Sequence, residues 1–415
     1  MPFSGAALLA PFRVRSFRFQ WPADLLTSWG QEMENLVLSW FILVQTGSVF
    51  LLTLFWALQY LGVLLSPIIG LVGDRVGHRR VLCIMRAAYT VLASGVMLLA
   101  FSGRLHPLQV FGVTTLSGLI RPSDQAVRNA LVAETIPADR LMATMGISRT
   151  TADSARIAGS LAGAGLFAAF GMGAVYAVIT GFYFSGFLMS LGIAKPRMRL
   201  AVIGAMPVTL WKELVEGLSY VWDTPCSLAA MWLAFLVNLT AFPVTSGLWP
   251  YGARDVYHVG QAGLGTLIAS FAAGSLTGSI VCSLAGQAIR PARMMLVFAL
   301  GWYAMLVIFV NMPGPASGRI MLYIAGCAQA LSLVPMSVML LASAGERFRG
   351  RVMGVRMLCI YGVPLGLMAA GVMIEEVGFA LACSLYCAIG VTLTGVIALR
   401  WRAALWPLDA PANAR

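Results

Sequence analysis

Six ionisable residues stand in two short stripes inside an otherwise apolar chain: Arg121, Asp124 and Arg128, then Arg149, Asp153 and Arg156. Spacings of i, i+3, i+7 and i, i+4, i+7 put each set on one face of a helix. At bilayer depth an ionised side chain costs roughly 2.5–3.5 kcal/mol, so four arginines without partners would approach about 10 kcal/mol, as much as a domain's whole stability. They must pair or line a wet cavity. Glu32 and Glu34 join Asp124 and Asp153 in the same half of the chain, so four acids balance four arginines. Two readings follow. The charges form an ion-pair network that fixes helix packing, or some pairs open in use, with an acid taking a proton and an arginine receiving an anionic group.

In the first apolar stretch Ser28, Glu32, Asn35 and Ser39 follow i, i+4, i+7, i+11, a continuous polar stripe suited to a hydrated cavity. Glu34 lies about 200° around the helix from Glu32 and is expected to meet a neighbouring helix, which makes Glu32 the stronger proton carrier of the two. Ten residues of helix reach the middle of a roughly 30 Å hydrocarbon core. Counted in this way, Glu32, Arg121, Asp153, Asn238 and Gln329 arrive near one depth. Asn35, Arg121, Arg128, Arg149, Arg156, Asn238 and Gln329 are therefore the candidate substrate contacts, and Glu32, Glu34, Asp124 and Asp153 the candidate proton-coupling or ion-pairing acids. Trp249, Trp302 and Tyr361 could add stacking surface. Arg86 and Arg356 lie near helix ends and are expected to reach out to water.

These residues need apolar helices to carry them. Of 415 residues 59% are hydrophobic and 11% charged, with a mean hydropathy of +0.84, far from a soluble composition. Twelve spans are predicted, at about 23–46, 50–72, 81–101, 108–131, 141–168, 173–194, 227–249, 261–286, 294–312, 319–342, 352–373 and 378–400. Most of the 28 lysines and arginines fall on the side that holds both termini, which the positive-inside rule assigns to the cytoplasm. The fold class expected is all-α: two six-helix bundles, 1–194 and 227–415, joined by a linker, 195–226. Within the linker Trp211, Leu214, Val215, Leu218 and Trp222 oppose Lys212, Glu213 and Glu216, as in a helix lying on a membrane surface.

Several functions are disfavoured. The net charge of +12 is scattered over loops as a topology signal, not gathered for nucleic acid. His78, His106 and His258 are placed in loops, the seven cysteines are not clustered as metal ligands, and neither Lys195 nor Lys212 stands in a phosphate-binding loop. No cofactor, metal or enzymatic chemistry is expected.

Between the second and third spans stands GLVGDRVGHRR, from Gly70 to Arg80. It resembles the loop signature of the major facilitator superfamily at Gly70, Asp74, Arg75, Gly77, Arg79 and Arg80, with His78 in place of a basic residue. The resemblance implies a twelve-helix secondary transporter whose halves rock about a central site. It also implies that these six residues belong to a conformational latch, with Asp74 facing the region from Gly350 to Val355. The stretches FRFQWPADLLTSWGQEMENLVLSWFILVQTGS, ETIPADRLMATMGISRTTADSARIAG and ELVEGLSYVWDTP are similar to a bacterial branch of enterobactin-exporter-like and multidrug permeases. That branch implies proton-coupled efflux of a small organic molecule by a monomer in the inner membrane; uptake of an anionic metabolite, or a receptor role, is the alternative. Two departures stand against a full match. The loop GQAIRPAR, from Gly286 to Arg293, lacks the Asp-Arg pair, and Gly159 to Ala164 only partly follows the antiporter pattern, with Ser160 where proline is usual.

Overall fold

The computed structural model describes residues 10–63, 65–136, 138–194, 210–285, 291–344 and 348–406. Among them the regular structure is helical, without strands, and helices cover most of each of the twelve expected spans, although 50–72 is divided between Val49–Leu58 and Ser66–Val76. The helices are α1 (Arg15–Thr46), α2 (Val49–Leu58), α3 (Ser66–Val76), α4 (His78–Phe101), α5 (Pro107–Thr135), α6 (Ala138–Leu191), α7 (Leu210–Asp223) and α8 (Pro225–Phe242). They continue with α9 (Gln261–Ala285), α10 (Pro291–Val310), α11 (Pro315–Ser343), α12 (Arg349–Leu358), α13 (Gly362–Val377) and α14 (Phe379–Arg400). Among the described residues eight stretches are long and apolar enough to cross a membrane. An all-helical solution is what a bilayer demands, because no water is there to satisfy an open backbone.

The punctuation is local. Gly47 closes α1 in the left-handed region (φ 69°), with its N–H donating to the Leu43 carbonyl. His106 opens α5 with a reciprocal cap: Nδ1 accepts from Leu108 N–H, while the Gln109 side chain accepts from His106 N–H, and Pro107 follows at the first helical position. The run from Ala138 to Leu191 is broken at Gly171 (φ 76°, ψ −174°), which separates two of the predicted spans. Of the three histidines expected in loops, His106 and His258 lie outside helices and only His78 departs from the expectation. His106 caps a helix, and His78 begins α4, is buried, and meets Glu134 of α5 through Nδ1 at 2.7 Å.

The chain forms two compact units. The first holds residues 10–47, 58–194 and 260–269; the second holds 48–57, 210–259 and 270–406. In the first unit α1 packs along α6 because Gly159 and Gly163 leave room: a Cβ at either would press on Glu32, Trp29 or Met33. In the second, Gly274 and Gly278 let α9 approach the backbone of α11 at Tyr323 and Cys327. Tyr303 fills the gap beside Gly390, and its hydroxyl lies 2.6 Å from Thr240 Oγ1. The linker helix α7 docks within this unit: Glu216 pairs with Arg351 at 2.6 Å, and Tyr220 donates to the Ser343 carbonyl at 2.8 Å while stacking on Phe348. Its Val215, Leu218 and Trp222 remain exposed.

Candidate functional site: paired charges in the first unit

Three of the four arginines from the two stripes have their partners in the first unit. Arg121 on α5 donates to the Glu34 carboxylate, to Asn35 Oδ1 at 2.6 Å and to Gln59 Oε1 at 3.0 Å. Glu34 also accepts from the hydroxyls of Tyr183 at 2.8 Å and Tyr176 at 3.4 Å, both on α6. This network is sealed: the Glu34 side chain is 5% exposed and that of Arg121 13%. A buried pair is tolerable when most of its remaining hydrogen-bonding capacity is met, and four neighbouring groups, Asn35, Gln59, Tyr176 and Tyr183, share that work here, leaving Arg121 Nε without a hydrogen-bond partner among the described atoms.

Arg128 pairs with Asp124 one turn back on the same helix and reaches Ser28 Oγ of α1 at 3.4 Å. Asp124 is wholly buried. The third pair differs. Arg156 Nε of α6 stands 3.8 Å from Glu32 Oε1 of α1, with side-chain exposures of 43% and 28%. Gly159 sets this approach, since its absent Cβ would sit 3.0 Å from that of Glu32. Asp153 is buried three residues before Arg156. The side chain of Arg149 lies outside the described residues.

A fourth pair is one that depth counting misassigns. Arg86, expected to reach water, is 1% exposed and donates to the Asp24 carboxylate and to Thr27 Oγ1 at 2.9 Å. Asp24 goes unnoticed in sequence because it follows a polar, arginine-rich start; the continuity of α1 from Arg15 places it well inside the helix. Gln59, Tyr176 and Tyr183 are likewise invisible to spacing, since Gln59 lies in the turn after α2 and the two tyrosines on α6, neither of them the helix that carries Glu34 or Arg121. Arg356, by contrast, is partly buried and donates to Ser337 Oγ at 2.6 Å.

The second unit offers fewer charges. Asn238 donates to the Ala234 carbonyl of its own helix at 2.8 Å, and Gln329 is buried. Trp249 and Trp302 are buried against Phe271 and Phe242, so they are packing residues and not stacking surface; Tyr361 is partly exposed. Glu375, at the end of α13, accepts from Ser48 Oγ and Phe50 N–H within this unit. Of the six signature-loop residues, Gly77 turns the chain between α3 and α4 with φ 97°, Arg79 donates to the Leu191 carbonyl at 2.5 Å, and Arg75 and Arg80 are exposed. The side-chain surroundings of Gly70 and Asp74 lie outside the described residues, as does the loop 286–290. Among the described residues no group of His, Cys, Asp and Glu is placed to hold a metal ion.

An all-α chain with paired charges buried inside apolar helices is a polytopic membrane protein. The sequence matches the Major Facilitator Superfamily over residues 21–367. The chain belongs to that superfamily, and is a membrane transporter rather than an enzyme. No curated protein sequence matches it. Among solved structures, it resembles a D-xylose–proton symporter, with TM-score 0.70 and 13% identity over 92% of this chain and 97% of the other. It also resembles a bacterial homologue of the human lysosomal transporter Spinster, with TM-score 0.70 and 14% identity over 96% and 99% of the two chains. The POT-family transporter PepTSo gives TM-score 0.71 and 12% identity over 94% and 98%. At these identities the likeness establishes the fold.

Proposed function

We propose that the chain is a proton-coupled secondary transporter of the inner membrane, with both termini in the cytoplasm, that exports a small organic molecule as a monomer. Glu32 is the proton carrier and Arg156 the group that holds an anionic or polar part of the substrate. The observation that carries this reading is the contrast among ion pairs: Glu32–Arg156 is long and accessible, whereas Glu34–Arg121 and Asp124–Arg128 are closed. A pair already at 3.8 Å loses little when a substrate group comes between its partners. With Glu32 deprotonated, its carboxylate and Arg156 together hold a polar group of the substrate; protonation of Glu32 from the outer side removes one of the two holds and releases it, so that proton entry and substrate exit alternate.

Glu34 and Arg121, with Asn35, act in this account as the rigid floor of the site, and Asp153 stands by Arg156 on the same helix. Gly70, Asp74, Arg75, Gly77, Arg79 and Arg80 form the conformational latch. Export over uptake is supported by the stretches similar to efflux permeases, while proton coupling has a fold-level parallel in the D-xylose–proton symporter. The test is a panel of small organic molecules presented to inverted vesicles under an imposed pH gradient. Accumulation that needs an acidic interior and disappears in Glu32→Gln supports the proposal; flux that ignores the gradient removes it.

A further inference from the structure

The first unit contains a second charged group, which the mechanism above leaves unused. Asp24 of α1, Arg86 of α4, and Asp124 and Arg128 of α5 lie in mutual electrostatic reach. The Tyr89 hydroxyl is buried within reach of Asp124, Arg128 and Arg86, and has no hydrogen-bond partner among the described atoms. A cavity opens beside this cluster, with ≈ 30 Å³ of room. That is enough for about two waters. Asp24, Ser28, Arg128, Asn129, Ser148 and Thr151 give it a polar lining. Arg86 and Asp124 stand behind it, fully buried. Asp24 thus touches a wet space on one side and a sealed cation on the other.

We infer that Asp24 is a second proton-loading site, fed by water in this cavity and tied through Arg86 to the hold of α1 on α4. The inference rests on the proton-coupled reading above. A hydronium ion in the cavity gives its proton to an Asp24 carboxylate oxygen and remains there as water. Before transfer two carboxylates balance two guanidinium groups. Afterwards Arg86 and Arg128 share Asp124 alone, and the cluster carries one excess positive charge. The charge-assisted bond from Arg86 to Asp24, which ties α4 to α1, is weakened, and the arginines repel. Nothing else described around the cavity supplies a compensating charge: Gln125 and Asn129 from α5, and Ser148 and Thr151 from α6, are neutral. Loss of the proton restores the tie. Proton occupancy therefore sets how firmly the first helix is held, as a bistable element requires.

The experiment is infrared difference spectroscopy of the full chain in lipid vesicles, comparing acidic with alkaline buffer and reading the band of protonated carboxylic acid. Wild type is expected to show the band, Glu32→Gln to keep a part of it, and Asp24→Asn to lose that part. Because Asp24→Asn leaves Arg86 without its countercharge, the double variant Asp24→Asn, Arg86→Gln removes both charges and must lose the same component. A band undiminished in both Asp24 variants overturns the inference. If it then vanishes in Glu32→Gln, proton coupling through Glu32 stands without Asp24. A wild-type chain with no such band overturns both.

Discussion

Replacing Glu34 by alanine is the sharpest stability test of the charge network. Arg121 would keep Asn35 at 2.6 Å and Gln59 at 3.0 Å, both neutral acceptors, and lose the carboxylate that balances its charge. An uncompensated buried guanidinium costs about 3–5 kcal/mol, and the stranded Tyr183 hydroxyl adds about 1 kcal/mol. At roughly 2 °C per kcal/mol for a cooperative unit of about 200 residues, thermal unfolding should fall by about 8–12 °C. Glu32→Ala removes the partner of an accessible arginine at 3.8 Å, a loss of about 1 kcal/mol or less. Thermal unfolding of both purified variants in one detergent, with the double variant Glu34→Ala, Arg121→Met as control, measures the difference. The double variant should recover part of the loss, since it leaves no lone charge. Equal effects of Glu34→Ala and Glu32→Ala, or a double variant as unstable as the sum, would refute the assignment of Glu34 as the sealed pair.

Three further outcomes are expected. Glu32→Gln will abolish pH-gradient-driven flux while shifting the unfolding temperature by less than Glu34→Ala, as checked by vesicle flux and thermal unfolding on the same preparations. Gly171→Ala, at φ 76°, will cost about 1–2 kcal/mol, whereas Gly95→Ala, with open space at its Cβ inside α4, will stabilise or be neutral; unfolding curves of the pair decide it. Gly274→Leu will force α9 off the Tyr323 backbone at a cost of about 1–3 kcal/mol or more, seen as lost monodisperse protein on size exclusion.

The spans were legible because apolar length in a bilayer leaves one backbone solution, and the break at Gly171 falls between two predicted stretches. The two arginine stripes were legible because helical spacing fixes a face. Spacing does not fix the neighbour that a face meets. It ranked Glu32 above Glu34 without identifying Arg121 as the partner of Glu34, a match made by the packing of α1 against α5. Asp24 and Arg86 were hidden for a related reason: depth counted from a helix end places Arg86 near water, but Gly186 admits the guanidinium beside Thr27 and Asp24 instead. Trp302 shows the converse error, since an aromatic at mid-span can stack on a substrate or fill a core, and only contact with Phe242 decides.

The most direct measurement is luminal pH in vesicles containing the purified chain and a trapped pH dye, recorded as small organic molecules are added one at a time. At least one compound should move protons with wild type and none with Glu32→Gln. Compounds that cross without moving protons, or proton movement unchanged in Glu32→Gln, would contradict the account.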